Sequence, residues 1–106
     1  MKVTKHANDR LKERNGLNKK SCARISEKAF REGITHSQTK GSLNKWITSL
    51  YFKNKKANNI RLYGDKAYIF CSETLVTVLP IPNNLLKDVN RIRKSLKEQV
   101  TKMNED

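Results

Sequence analysis

Three side chains near the start of the chain could do chemistry on a phosphate. In the stretch TKHANDRLKERNGL, His6, Arg10 and Arg14 follow one another at intervals of four, which aligns them along one face of an α-helix. Two guanidinium groups can hold a phosphate through paired hydrogen bonds and keep their charge at physiological pH. An imidazole titrates near neutrality and can move a proton. We call these three residues the His-Arg row. They predict metal-independent RNA cleavage, in which the ribose 2′-hydroxyl attacks the phosphate and fixed positive charge stabilises the phosphorane.

The helix that must position this row is expected over residues 4–15. On a helical wheel the row drifts towards the apolar stripe, and Arg14 comes closest to it. Charged side chains are rarely buried without a partner, so the row is expected at the boundary between core and solvent, where a helix on a sheet forms a groove. The alternative is structural, with the arginines tied to Glu27, Glu32 or backbone carbonyls.

Composition indicates the class of partner. The chain has 106 residues, and 23 Lys and Arg against 10 Asp and Glu give it a net charge of +13. Mutual repulsion among so many positive charges favours a polyanionic partner, and nucleic acid is the first candidate for that partner. No apolar run suits a signal peptide or a bilayer crossing, so we expect a cytoplasmic protein with no membrane partner. Cys22 and Cys71 form no CxxC motif, and neither a metal nor another cofactor is expected.

The remaining pattern predicts a single α+β domain over residues 1–106. A second helix is expected over 18–32 and a third from a cap at Ser42, with Trp46 and both cysteines in the core. The runs NIRLYG, KAYIFCS and TLVTVLP predict a three-stranded antiparallel meander. Both faces of its middle strand are apolar, so helices are expected to cover both at least in part. A C-terminal helix is expected over about 84–102.

Basic residues beyond the first helix are candidates for contacts with nucleic acid. Lys53, Lys55 and Lys56 follow the third helix and would contact the phosphate backbone without reading sequence. Arg61, in the first strand of the meander, is a further candidate. A solvated run of charge is the equal alternative for the lysines.

Strand residues provide candidates of another kind. Tyr63 and Tyr68 could stack on a base or donate a hydrogen bond to phosphate, although packing under a helix is the commoner use. Thr77 lies between Val76 and Val78 and is expected on the face opposite to both. Its hydroxyl needs a partner, either a phosphate or a neighbouring group of the protein.

The opening run also resembles that of a widespread family of small bacterial and phage proteins whose first helix carries HAxxRxxxRG. That family is similar to the RelE-like toxins and to the wider barnase, EndoU, colicin and RelE superfamily. The resemblance covers about residues 3–82 and implies two N-terminal helices on an antiparallel sheet, commonly of four strands. It also implies a metal-independent ribonuclease with an antitoxin or a ribosome as partner, in a bacterial cell or the bacterial host of a phage. The matching residues are His6, Ala7, Arg10, Arg14 and Gly16, with Asn15 inserted before the glycine, and Thr77 and Pro80 in the last strand.

The sequence therefore predicts an RNA-binding, metal-independent endoribonuclease with His6, Arg10 and Arg14 as catalytic residues. One alternative is a non-catalytic nucleic-acid-binding protein of a phage or mobile element. A third possibility is an inhibitor of a host nucleoprotein defence. An enzyme should hold two proton-transfer groups in one groove, and His36, in a polar loop, could supply the second.

Overall fold

Helices and strands follow one another along the chain largely as the sequence predicts. The computed structural model describes residues 2–16 and 18–104, including all side chains except those of residues 14, 15 and 98–104. Within these ranges the protein is an α+β domain of four α-helices and four strands, which confirms the predicted fold class. The elements in chain order are β1 (Lys2–Val3), α1 (Lys5–Asn15), α2 (Lys19–Glu32), a 3₁₀ turn (His36–Gln38), α3 (Gly41–Lys53), β2 (Asn59–Tyr63), β3 (Lys66–Cys71), β4 (Thr74–Pro80) and α4 (Asn83–Asn104).

Local capping explains where the first two helices begin. The Thr4 hydroxyl accepts a hydrogen bond from the Ala7 amide at 3.2 Å, and the Asn18 side chain accepts one from the Ser21 amide at 2.9 Å. Such bonds satisfy amides that have no partner within a helix. The third helix departs from the prediction, because it starts at Gly41 rather than after a cap at Ser42.

The sheet has the strand order β1-β4-β3-β2. Strands β2, β3 and β4 form the predicted antiparallel meander. The fourth strand, β1, was not predicted; it pairs parallel with β4 through Lys2 with Thr74 and Val3 with Leu75. Two residues are too few to show an alternating pattern, so only the tertiary pairing identifies β1 as a strand.

Helices cover both faces of the sheet, as the apolar middle strand predicted. One core lies between the sheet and α1 with α2, and the other between the sheet and α3 with α4. The middle strand serves both cores: Ala67 and Ile69 enter the α3/α4 core, and Tyr68 and Phe70 enter the α1/α2 core. Two expected core residues, Trp46 and Cys71, are only half-buried; the cysteine ends β3 beside the turn to β4.

Candidate active site

The start of α1 is attached to the beginning of β4 by hydrogen bonds from a single residue. The Thr4 amide donates to the Leu75 carbonyl at 3.0 Å, and the Thr4 hydroxyl donates to the Val76 carbonyl at 3.2 Å. The same hydroxyl accepts the Ala7 amide and so caps the helix. Thr4 therefore fixes the start of the His-Arg row against the strand.

His6 and Thr77, two residues singled out from the sequence, meet at this junction. His6 Nε2 lies 3.2 Å from Thr77 Oγ1, a hydrogen-bonding distance. The imidazole is exposed and the threonine is half-buried. When Nε2 carries the proton and donates a hydrogen bond to the hydroxyl, Nδ1 keeps the lone pair that can accept a proton from a substrate.

A β-bulge in β4 places the Thr77 hydroxyl. Thr77 pairs with Ile69 while Leu75 pairs with Phe70, so Val76 has no opposite residue in β3. An extra residue of this kind bends a strand and redirects its side chains. The predicted alternation is therefore wrong here: Val76 packs against the α3/α4 core, whereas Val78 lies in the α1/α2 core.

Arg10 lies one helical turn beyond His6, about 6 Å along the axis of α1. It is half-buried and forms no hydrogen bond or ion pair with any side chain that the structure describes. Glu27, a partner considered for the row, pairs instead with Arg31 at 2.7 Å. Arg10 therefore lies one turn from His6 on the same side of α1, and its guanidinium has no partner among the described side chains. The predicted role of Arg14 concerns a side chain outside the described ones.

His36 does not join this site. It belongs to the 3₁₀ turn on the α3 side of the sheet, the face opposite to α1. Its Nε2 lies 2.9 Å from the Thr48 hydroxyl, and its ring centroid lies 5.4 Å from that of Tyr51. Among the described residues, His6 is therefore the histidine at the α1–β4 junction.

Arg61, a residue predicted to contact nucleic acid, holds the end of α2 in this structure. Its Nε donates to the Gly33 carbonyl at 2.8 Å and its Nη2 to the Arg31 carbonyl at 3.2 Å. Partial burial lowers the pKa of Arg61, and the nearby Tyr51 opposes that change. The last carbonyls of a helix attract positive charge, so this guanidinium stabilises the join between α2 and β2.

The tyrosine candidates differ in access. Tyr68 is 1% exposed, and its burial is the main cause that raises its pKa to about 12, with Asp65 as a further cause. It cannot stack on a base without unfolding the core. Tyr63 is half-buried and packs edge-on against Tyr68, with ring centroids 6.4 Å apart. Its contact with nucleic acid stays a prediction.

Lys53, Lys55 and Lys56 are exposed at the end of α3, on the opposite face of the sheet from the His-Arg row. They therefore belong to a separate surface. Beside them lies Phe52, whose side chain is 76% exposed and which the sequence reasoning overlooked. The signal was present, because Phe52 falls outside the apolar spacing that marks the buried side of α3.

Among the described residues, no three His, Cys, Asp or Glu side chains cluster closely enough to hold a metal ion. Within the same residues, no helix has the length and apolar character to cross a membrane. No family model, curated protein or solved structure matches the chain.

Proposed function

We propose that the protein binds RNA and cleaves it without a metal ion, at the junction of α1 and β4. The observation that carries the proposal is the 3.2 Å contact of His6 Nε2 with Thr77 Oγ1, one helical turn from Arg10. The net charge of +13 supports a polyanionic ligand. The resemblance of the HAxxRxxxR helix to toxin-like ribonucleases supports the same assignment.

The proposed reaction is a transesterification within the RNA. The 2′-oxygen forms a bond to the adjacent phosphorus while its proton passes to Nδ1 of His6. The bond from phosphorus to the 5′-oxygen of the next nucleotide breaks, and that oxygen takes a proton from water or from the imidazolium. The products are a 2′,3′-cyclic phosphate and a 5′-hydroxyl. Arg10 stabilises the charge on the phosphorane oxygens, and Thr77 orients the imidazole.

A second candidate function is binding without cleavage. It is favoured by the position of His36, which lies on the other face of the sheet and cannot act as a second proton-transfer group at this junction. With His6 alone, the row could instead hold a phosphate of a bound nucleic acid by charge and hydrogen bonds.

Cleavage of labelled RNA, assayed with and without ribosomes and with excess chelator, tests the proposal. We expect cyclic-phosphate ends, and we expect His6→Ala to lower the cleavage rate by about 10²–10⁴-fold with little loss of RNA affinity. Arg10→Gln should lower both rate and affinity. His36→Ala is the matched control, since it removes the other histidine and should leave the rate unchanged.

Thr77→Val provides a finer test, because it keeps the shape of the side chain and removes only the hydroxyl. We expect a slower reaction with unchanged affinity, since a neutral hydrogen bond contributes about 0.5–1.5 kcal/mol, or roughly 2- to 10-fold in rate. If the wild type leaves every RNA intact under all of these conditions, the proposed cleavage activity is refuted. The second candidate function, binding without cleavage, then stands if the protein binds RNA.

A further inference from the structure

Phe52 is an apolar side chain left in water. Among the described residues, Phe52 is the one large hydrophobic residue that is exposed, with 76% of its surface accessible to solvent. Its helical neighbours Leu43, Ile47 and Leu50 point the other way, into the α3/α4 core. A single exposed phenylalanine is common on protein surfaces, so exposure alone assigns it no role. Its surroundings do.

Phe52 is flanked by exposed positive charge. Lys53 follows it directly, Lys55 and Lys56 come next, and Lys45 lies two helical turns earlier on the same side of α3. The sequence contains no Asp or Glu between Glu32 and Asp65, although acidic residues occur on both sides of that interval. We call Phe52, Lys53, Lys55 and Lys56 the Phe52 patch.

The backbone holds these lysines in a defined turn. The Asn54 side chain and amide both donate to the Leu50 carbonyl at 2.9 Å, which closes α3. The Ala57 amide then donates to the Asn54 carbonyl at 2.9 Å, so that Lys55 and Lys56 occupy the two central positions of a hydrogen-bonded turn. A turn ordered in advance reduces the entropy lost when its lysines bind a ligand.

The next loop anchors this turn to the sheet. The Asn58 amide donates to the Phe70 carbonyl at 3.1 Å, and the Asn58 side chain accepts the Ser72 amide at 2.8 Å. Glu73 follows Ser72 in the turn between β3 and β4, and it is the acidic residue next to this anchoring bond in the sequence. The three lysines of the patch therefore outnumber the one acidic residue, Glu73, of the β3–β4 turn to which the patch is anchored.

We infer that the Phe52 patch binds single-stranded nucleic acid, with the phenyl ring stacked on an unpaired base and the lysines on its phosphates. A base offers a π-face to the ring, and its backbone offers the negative charge that the lysines match. A membrane-binding helix would need a broad apolar face, whereas the apolar face of α3 is buried. The inference rests on the proposed function only in taking nucleic acid as the ligand, and it adds a surface on the opposite side of the sheet from His6.

Fluorescence anisotropy with two labelled probes tests this inference. One probe is a 2′-O-methyl oligouridine of about 12 nucleotides, which lacks the 2′-hydroxyl that the proposed reaction requires. The other is an abasic strand with the same number of phosphates. The wild type should bind the oligouridine more tightly. Phe52→Ala should weaken oligouridine binding by about 5- to 150-fold and leave abasic binding unchanged, whereas Phe52→Tyr should retain affinity.

A matched pair of triple variants separates charge from stacking. Replacing Lys53, Lys55 and Lys56 by Gln should weaken the binding of both probes and reduce the slope of log affinity against log salt by about 2. The control replaces Lys19, Lys20 and Lys28 by Gln, three exposed lysines of α2, and should keep the wild-type slope.

The outcomes distinguish this inference from the proposed function. If Phe52→Ala binds the oligouridine as the wild type does, or loses as much affinity for the abasic strand, the stacking inference is overturned while the active site is unaffected. If binding depends on Phe52 but no RNA is cleaved, the catalytic proposal fails and this one stands. Absence of binding to either probe would overturn both, and displacement of the oligouridine by anionic vesicles at lower concentration than by RNA would indicate a membrane occupant.

Discussion

Replacing Arg61 by Met distinguishes a structural guanidinium from one that binds nucleic acid. The variant keeps most of the side-chain length but loses the bonds to the carbonyls of Gly33 and Arg31, at 2.8 and 3.2 Å. Hydrogen bonds from a charged group contribute about 1.5–3 kcal/mol each when well buried, and Arg61 is half-buried. We therefore expect a loss of about 2 kcal/mol in the free energy of unfolding. For a domain of this size that lowers the melting temperature by roughly 10 °C.

Thermal unfolding followed by circular dichroism measures this loss, and Lys55→Met is the matched control. Both variants remove one positive charge, but Lys55 is exposed and forms no contact that organises the fold. The control should keep the wild-type melting temperature and lose some affinity for RNA. The reasoning is refuted if Arg61→Met melts with the control yet weakens RNA binding more than the control does, because Arg61 would then face the ligand.

Two further predictions follow from buried groups. Gly33→Ala should destabilise the fold by about 1–3 kcal/mol in urea unfolding, because an added Cβ would lie 2.5 Å from the Ala29 carbonyl oxygen and 2.8 Å from Arg61 Cβ; an unchanged midpoint would contradict this crowding. The pKa of Tyr68 is raised to about 12 from an ordinary value of 10, so the folded state retains this proton where the unfolded state has lost it. The stability that this proton gives the folded state is complete below pH 10 and is lost as pH rises towards 12. The free energy of unfolding of the wild type should therefore fall relative to that of Tyr68→Phe over that window, and a constant difference would contradict the raised pKa.

Local information in the sequence was sufficient for most of the architecture. Helix α2 was expected over 18–32 and is observed at Lys19–Glu32, because its cap and apolar spacing involve residues within a few positions of one another. The three meander strands were recognisable for the same reason, since alternating β-branched and aromatic residues lie between short turns. The apolar character of both faces of β3 correctly implied helices on both sides of the sheet.

Gly33 shows where local reasoning was insufficient. A glycine that ends a helix commonly adopts the left-handed conformation, yet the φ of Gly33 is −64°, a value open to any residue. A glycine is needed there because the end of α2 approaches β2 too closely for a Cβ. That approach is a tertiary contact, with Arg61 bonded across it, and the residues flanking Gly33 in the sequence carry no sign of it.

In the candidate site, too, some features follow from spacing in the sequence and others only from tertiary contacts. The sequence by itself determined that His6 and Arg10 share one side of a helix, because that follows from a spacing of four. Only the tertiary structure brought His6 to Thr77, 71 positions away, through the Thr4 bonds to β4 and a bulge at Val76. Likewise, only packing decided that Arg61 turns to backbone carbonyls while Phe52 remains in water. Spacing along a helix is set by backbone geometry common to all sequences, whereas contacts between distant segments depend on how particular side chains fill the space between them.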